Sequence, residues 1–335
     1  MEKQTKKREV YIDIARGIAI ICMILGHSIQ KGAVLDTIYS FHMPLFIIVS
    51  GMFFKEDRSI ISLKKWTKTL IYAYIFIIIT NYIYFIIHNI SIVIATEEII
   101  KKIMLSYSTI GKLYFNAYSL GEFWFIPLLF IVKVLFIINR KITNNNSICL
   151  FLLIVLETYI GYLLGVKGYF LPFSLDVALF SMIFYYIGYI LKNSKIIEQL
   201  LNKKKALIII FIIWILGIKL NPIELFLRRY TYGLFCAITA ISGTLIIFKL
   251  SRKIEEKNII STGVLSWYGR NSMYILASHY AERLFINYNS VINFSNKNLN
   301  GIIVFIINVL IATISTYIFI NIKEKLKNKN EELNE

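Results

Sequence analysis

Apolar residues run along this chain in stretches of about 20, separated by short clusters of Lys, Arg, Asn and Glu. Coiled as helices, runs of that length match the hydrocarbon thickness of a bilayer. Ten spans are predicted, over residues 10–30, 38–54, 69–89, 119–139, 148–165, 173–191, 205–220, 230–250, 266–284 and 301–321. The seventh is the shortest. Residues 94–118 mix polar and apolar positions and read as an amphipathic or re-entrant stretch. The predicted fold is all-α, a polytopic membrane helix bundle of about ten transmembrane helices. No repeat of 20–50 residues and no long linker divides it. Residues 1–335 are therefore read as one integral-membrane domain, with a basic tail over 1–9 and a charged tail over 322–335.

Composition sharpens this picture. The 335 residues are 57% hydrophobic and 17% charged, with a mean hydropathy of +0.64. Soluble domains carry roughly 25% charged residues. The charge balance, 37 Lys and Arg against 20 Asp and Glu, gives a net +17. In a soluble protein that excess would point to nucleic acid, but here the cations sit between apolar runs, where they set orientation. The connections on the N-terminal side hold 25 Lys and Arg, and those on the other side hold 10. Both termini are thus predicted cytoplasmic, in a multi-pass protein of the cell membrane with the lipid bilayer as partner and no nucleic acid. The basic N-terminus lacks a small-residue cleavage site and is not read as a signal peptide. Cys22, Cys149 and Cys236 fall in or beside apolar runs without CxxC spacing, which indicates neither a disulfide framework nor a zinc site.

Charged groups inside a span are costly, so each marks a candidate site. The first run carries Asp13, Arg16 and His27. Arg16 and His27 are 11 residues apart, about 20° beyond three full turns, so both project from one face at a separation of about 16 Å. Asp13 can hold Arg16 as an i,i+3 ion pair. On spacing alone, a snorkelling ion pair and a hydrogen-bonded structural histidine explain the same residues.

The second run opens with FHMPLFIIVSG, which sets His42 near its outer end beside His27. Pro44 suits a first helical turn, and Ser50 and Gly51 suit close helix packing. In SLGEFWFIPLLF, Glu122 and Trp124 lie near the outer end, and Pro127 frees a carbonyl from the helix ladder. The ninth run carries Asn271, Ser272, Tyr274 and His279. All four histidines, His27, His42, His88 and His279, fall in the outer half, and several converging with a carboxylate would handle protons. No HExxH, Walker loop, GxGxxG or GxSxG occurs in a suitable context. Two histidines at a rim could bind zinc, but no third ligand has convincing spacing, so no metal is expected.

IDIARGIAIICMILGH resembles the opening of the acyltransferase-3 membrane proteins, in which Arg and His are separated by ten residues on the first helix. FHMPLFIIVSGMFF, FWFIPLLF and GRNSMYILASHY are similar to that family's second-helix, WFL-type and late-helix motifs. The resemblance covers nearly the whole chain. It implies transfer of an acyl group, most often acetyl from acetyl-CoA, to a hydroxyl of an envelope polysaccharide or sugar. No extra esterase-like domain accompanies the bundle, so the chain resembles the stand-alone O-acetyltransferases.

On that resemblance, Arg16 meets a phosphate of cytoplasmic acyl-CoA, and His27 acts as general base with Asp13 supporting Arg16. His42, Ser50, Glu122, Trp124, Ser272, Tyr274 and His279 make up the substrate site. Ser50 or Tyr274 could polarise the thioester carbonyl. Acyl-CoA is a donor substrate, and no bound cofactor is expected. The alternative is a polytopic transporter of a small polar solute, against which stands the lack of an inverted repeat or paired broken helices.

Overall fold

A computed structural model describes residues 9–29, 32–105, 121–193, 199, 201–220, 223–258, 260–286, 288 and 297–332. Twelve helices lie among the described residues. They are α1 (Val10–Ser28), α2 (Ala33–Met52), α3 (Ser59–Ile87), α4 (Ile92–Leu105), α5 (Phe125–Ile142) and α6 (Ser147–Val166), then α7 (Leu175–Asn193), α8 (Lys204–Leu220), α9 (Phe235–Lys257), α10 (Ile260–Arg270), α11 (Ser272–Phe285) and α12 (Lys297–Glu332). Among the described residues, seven stretches are long and apolar enough to cross a membrane: α1, α2, α3, α6, α9, Pro172–Lys192 around α7, and Leu299–Leu326 within α12. The chain is an all-α membrane bundle.

Three predicted spans depart from that standard, each for a visible reason. Helix α5 holds Lys133, Arg140 and Lys141, and α8 has only 17 residues. The ninth span is not one helix but two, α10 and α11, divided at Asn271. The Asn271 side chain donates to the Trp267 carbonyl at 3.0 Å, while its own carbonyl accepts from the amides of Tyr274 and Ile275. An Asn at such a position offers the backbone a local alternative to the regular ladder.

Several boundaries also move. Helix α3 begins ten residues before the predicted 69, and α12 continues past 321 to Glu332, through the stretch read as a tail. The region 94–118 supplies α4 as far as Leu105, and 106–118 lies outside the described residues. The prolines exchange the roles expected of them. Pro44 sits in the middle of α2, where it leaves the Ser40 carbonyl without its i+4 amide. Pro127 lies in the first turn of α5, where no amide partner is lost.

Helix α1 lies at the centre, against α2, α9, α10, α11 and α12. It meets α10 backbone to backbone. A Cβ on Gly17 would lie 2.0 Å from the Leu265 carbonyl oxygen, and one on Gly269 would lie 1.8 Å from that of Asp13. Only hydrogen fits at either position. That contact sets α1 in register with the α10–α11 segment.

The connection from α8 to α9 contains a small antiparallel hairpin, β1 (Ile223–Glu224) and β2 (Arg229–Tyr230). It is pinned by a buried ion pair with α7. Arg228 Nε lies 2.6 Å from Asp176 Oδ2, and Nη2 lies 3.3 Å from Oδ1. Neither side chain is more than 1% exposed, and the guanidinium also covers the Phe170 ring.

Candidate active site in a cavity along α1

A cavity of about 630 Å³ runs between α1, α2, α3, α5, the hairpin and α11. Arg16 and His27 both line it, as their shared helix face requires. Arg16 lies toward the N-terminal end of α1 and His27 in its last turn. Arg16 Nη2 donates to the Ser272 hydroxyl at 2.8 Å, and its Nη1 lies 3.8 Å from Asp13 Oδ1. Asp13 stands behind Arg16, outside the cavity wall.

At the other end four groups form a chain. His27 Nδ1 and His279 Nε2 are 3.1 Å apart, with ring planes only 3° from parallel. His279 Nδ1 lies 3.4 Å from Glu282 Oε2, and Glu282 Oε1 accepts from the Tyr288 hydroxyl. His279 is fully buried and reaches the cavity only through His27. A proton on His279 Nδ1, facing the carboxylate, makes Nε2 the acceptor for His27 Nδ1–H. His27 Nε2 is then left as a base.

His42, also on the cavity wall, uses Nδ1 to donate to the Ile38 carbonyl at 2.8 Å, which leaves its Nε2 as an acceptor. Trp124 lines the cavity as well, buried against Phe226 rather than set at a lipid interface. The hairpin contributes Glu224, the only carboxylate among the described residues of a wall that also carries three cations, Arg16, Lys133 and Arg283. Burial holds the Glu224 carboxyl above the usual carboxylate range, and Arg229 at 3.9 Å pulls it back.

Residues 9–320 match the model of the acyltransferase-3 family, described as an acyltransferase domain. The chain belongs to that family. No curated protein matches it closely enough to add a relative. As an acyltransferase-3 member it is a membrane acyltransferase, and the solute-transporter alternative falls away.

The candidate residues divide when placed on this acyltransferase. Arg16, His27, His42, Ser50, Trp124 and Ser272 line one cavity, with His279 behind His27. Tyr274 does not join them: its hydroxyl accepts from Lys323 Nζ at 2.9 Å and its ring faces Phe319, both on α12. His88 is exposed at the end of α3 and donates to the Tyr84 carbonyl, so the histidines that line or back the cavity are His27, His42 and His279. The side chain of Glu122 lies outside the described residues. The carboxylate that meets the histidines is Glu282, one turn beyond His279 in SHYAE. Its i,i+3 spacing was the available signal.

Depth separates the two candidates for polarising the thioester. The Tyr39 hydroxyl donates to the Gly26 carbonyl, so these two residues stand at one level of the antiparallel α1–α2 pair. Ser50 is 11 residues past Tyr39, about 16 Å deeper, and therefore level with Arg16 rather than His27. With Tyr274 on another face, neither residue stands beside the base.

Proposed function

We propose that the protein transfers an acyl group, acetyl by the family default, from cytoplasmic acyl-CoA to a hydroxyl of a cell-envelope glycan or sugar. The observation that supports this best is the single cavity with a guanidinium at one end and a carboxylate-backed histidine pair at the other. The donor enters beside Arg16, whose fork suits a phosphate. Its thin pantetheine arm lies along α1, over a span of about 16 Å, and brings the thioester to His27.

The acceptor arrives from the outer mouth between Trp124, His42 and the hairpin. As its hydroxyl oxygen attacks the thioester carbonyl, its proton passes to His27 Nε2. The Glu282 carboxylate, acting through His279, stabilises the positive charge that develops on His27. The tetrahedral centre then collapses, the C–S bond breaks, and the proton goes from His27 to the departing sulfur. The products are an O-acyl ester and free CoA thiol. Positioning both substrates and supplying a base account for the catalysis.

Purified protein in vesicles, given labelled acetyl-CoA and hydroxyl acceptors from an envelope glycan, should form an alkali-labile labelled ester. Absence of label in every acceptor, together with unchanged glycan esters in cells lacking the gene, would overturn the assignment. Sidedness is tested separately. Lys167→Cys should react with an impermeant thiol reagent in intact cells, and Lys204→Cys only after lysis. The reverse pattern would turn His27 toward the cytoplasm and end the through-membrane delivery of the acyl group.

A further inference from the structure

Lys133 and Arg283 are the two cations on the cavity wall that the scheme above does not use, and of these Lys133 lies at the Arg16 end. It sits in the middle of α5 with 6% of its surface exposed, so it does not snorkel to an interface. Its Nζ lies over the face of Trp66, 4.4 Å from the ring centroid, and no carboxylate among the described residues comes within 4.0 Å. An intramembrane ammonium without a counter-ion, facing a cavity, marks a path or site for an anion.

Ser50 supplies a second, independent observation. Its Oγ is buried and has no hydrogen-bond partner, although the residue lines the same cavity. A buried hydroxyl left unpaired is costly, so a ligand that accepts from it stabilises the bound state.

The two groups share one depth. Phe46 packs on Phe125 and Phe54 packs on Phe136, so α2 and α5 run in the same direction along the cavity. Lys133 falls in the interval that holds Gly51 and Met52, within a turn of Ser50. Arg16 stands level with Ser50 on the facing helix. A guanidinium, an ammonium and a hydroxyl without a hydrogen-bond partner therefore share the α1 N-terminal end of the cavity, with no carboxylate among the described residues on that part of its wall.

We propose that Lys133 and Ser50, with Trp66 as the aromatic wall behind the ammonium, complete with Arg16 a binding site for a diphosphate. Resting on the acyl-CoA reading, the ligand is the diphosphate bridge of the donor, with its adenosine toward the cytoplasm and its pantetheine arm toward His27. A lipid-linked diphosphate has the same anionic chemistry, and the test separates the two.

Binding is measured by titration calorimetry on the full chain in nanodiscs, with CoA, pantetheine, inorganic diphosphate and farnesyl diphosphate as probes. Lys133→Met keeps the apolar stem and removes the charge. It should weaken CoA and inorganic diphosphate at least tenfold while leaving pantetheine within twofold. Ser50→Ala, a mild change, should weaken the same two probes about threefold and serves if Lys133→Met does not fold. CoA and diphosphate binding within twofold of the parent in both variants would overturn the site. Binding of farnesyl diphosphate and inorganic diphosphate by the parent, but not of CoA, would keep the anion site and reject acyl-CoA as donor. Binding of none of the four would reject both.

Discussion

The most buried helices of the bundle and the least buried ones invert the usual relation between hydrophobicity and burial. In α1, α2, α9 and the α7 segment, the apolar windows have mean hydropathies of 1.4–1.6 and are 56–61% buried. In α3, α6 and α12 the values are 2.1–2.5 and only 17–28%. In water the greasiest helix would be the innermost. In a bilayer the tails are as apolar as Leu, so the greasiest face turns to lipid, and small and polar residues are kept for helix contacts. Here the less hydrophobic helices hold Asp13, Arg16, His42, Ser50 and Asp176, and α11 adds Ser272, His279 and Glu282. Chemistry resides in the inner set, and the outer set supplies a solvent match.

The largest effect should come from the inner set. His27→Ala removes the base where a small residue fits the helix, so transfer should fall by about 10²–10⁴ with little change in melting temperature. Equal amounts of folded protein assayed with labelled acetyl-CoA give the answer. Activity within threefold of the parent would take His27 out of the mechanism.

The hairpin beside the cavity is held by Arg228 and Asp176, and breaking that pair should cost stability. Arg228→Met strands a buried carboxylate, a change that typically costs about 3–5 kcal/mol. The double variant Arg228→Met/Asp176→Leu should recover part of the loss. Chemical denaturation in mild detergent, with both variants beside the parent, measures this. A double variant no better than the single would mean that the hairpin, not the charge, was being destabilised.

These residues also mark how far the sequence could be read. Apolar run length places nearly every helix, because bilayer thickness is a strict ruler. The 11-residue spacing of Arg16 and His27 was enough to set both on one wall, since helical phase is rigid over three turns. The kink at Asn271, the hairpin and the Arg228–Asp176 pair depend on contacts between distant segments, and no local pattern encodes them. Tyr274 shows the same limit. Its motif placed it with Ser272 and His279, but helical phase turns its hydroxyl toward α12 and Lys323. In the sequence Lys133 is only a charge within a predicted span. Its meaning needed Trp66 and the empty side of Ser50.

A smaller effect is expected one step behind the base. Glu282→Gln keeps size and can still accept from Tyr288, but removes the charge that opposes a protonated His27–His279 pair. Hydrogen bonds to charged groups contribute about 1.5–3 kcal/mol, so transfer should fall roughly ten- to a hundredfold. Because Glu282 acts through His279, the telling readout is the pH profile. Without the carboxylate, protonated histidine is less favoured, and the limb that reports the base should move to lower pH. A uniform loss with an unmoved profile would make Glu282 purely structural.

The smallest effect belongs to the outer set and tests the comparison from the opposite side. Leu310 and Ile314 are 55% and 57% exposed on the outward face of α12. If that face meets only lipid, truncation exchanges side-chain contacts with tails for tail–tail contacts, and no cavity opens. Leu310→Ala and Ile314→Ala should each shift stability by less than about 0.5 kcal/mol, the usual range for substitutions away from packed features. A buried leucine truncated to alanine loses about 2–5 kcal/mol instead. Thermal unfolding in nanodiscs, with transfer activity measured alongside, separates these ranges. A loss near the upper range would show that the face packs against protein, and a second copy of the chain would then be the first surface to seek by cross-linking at Leu310.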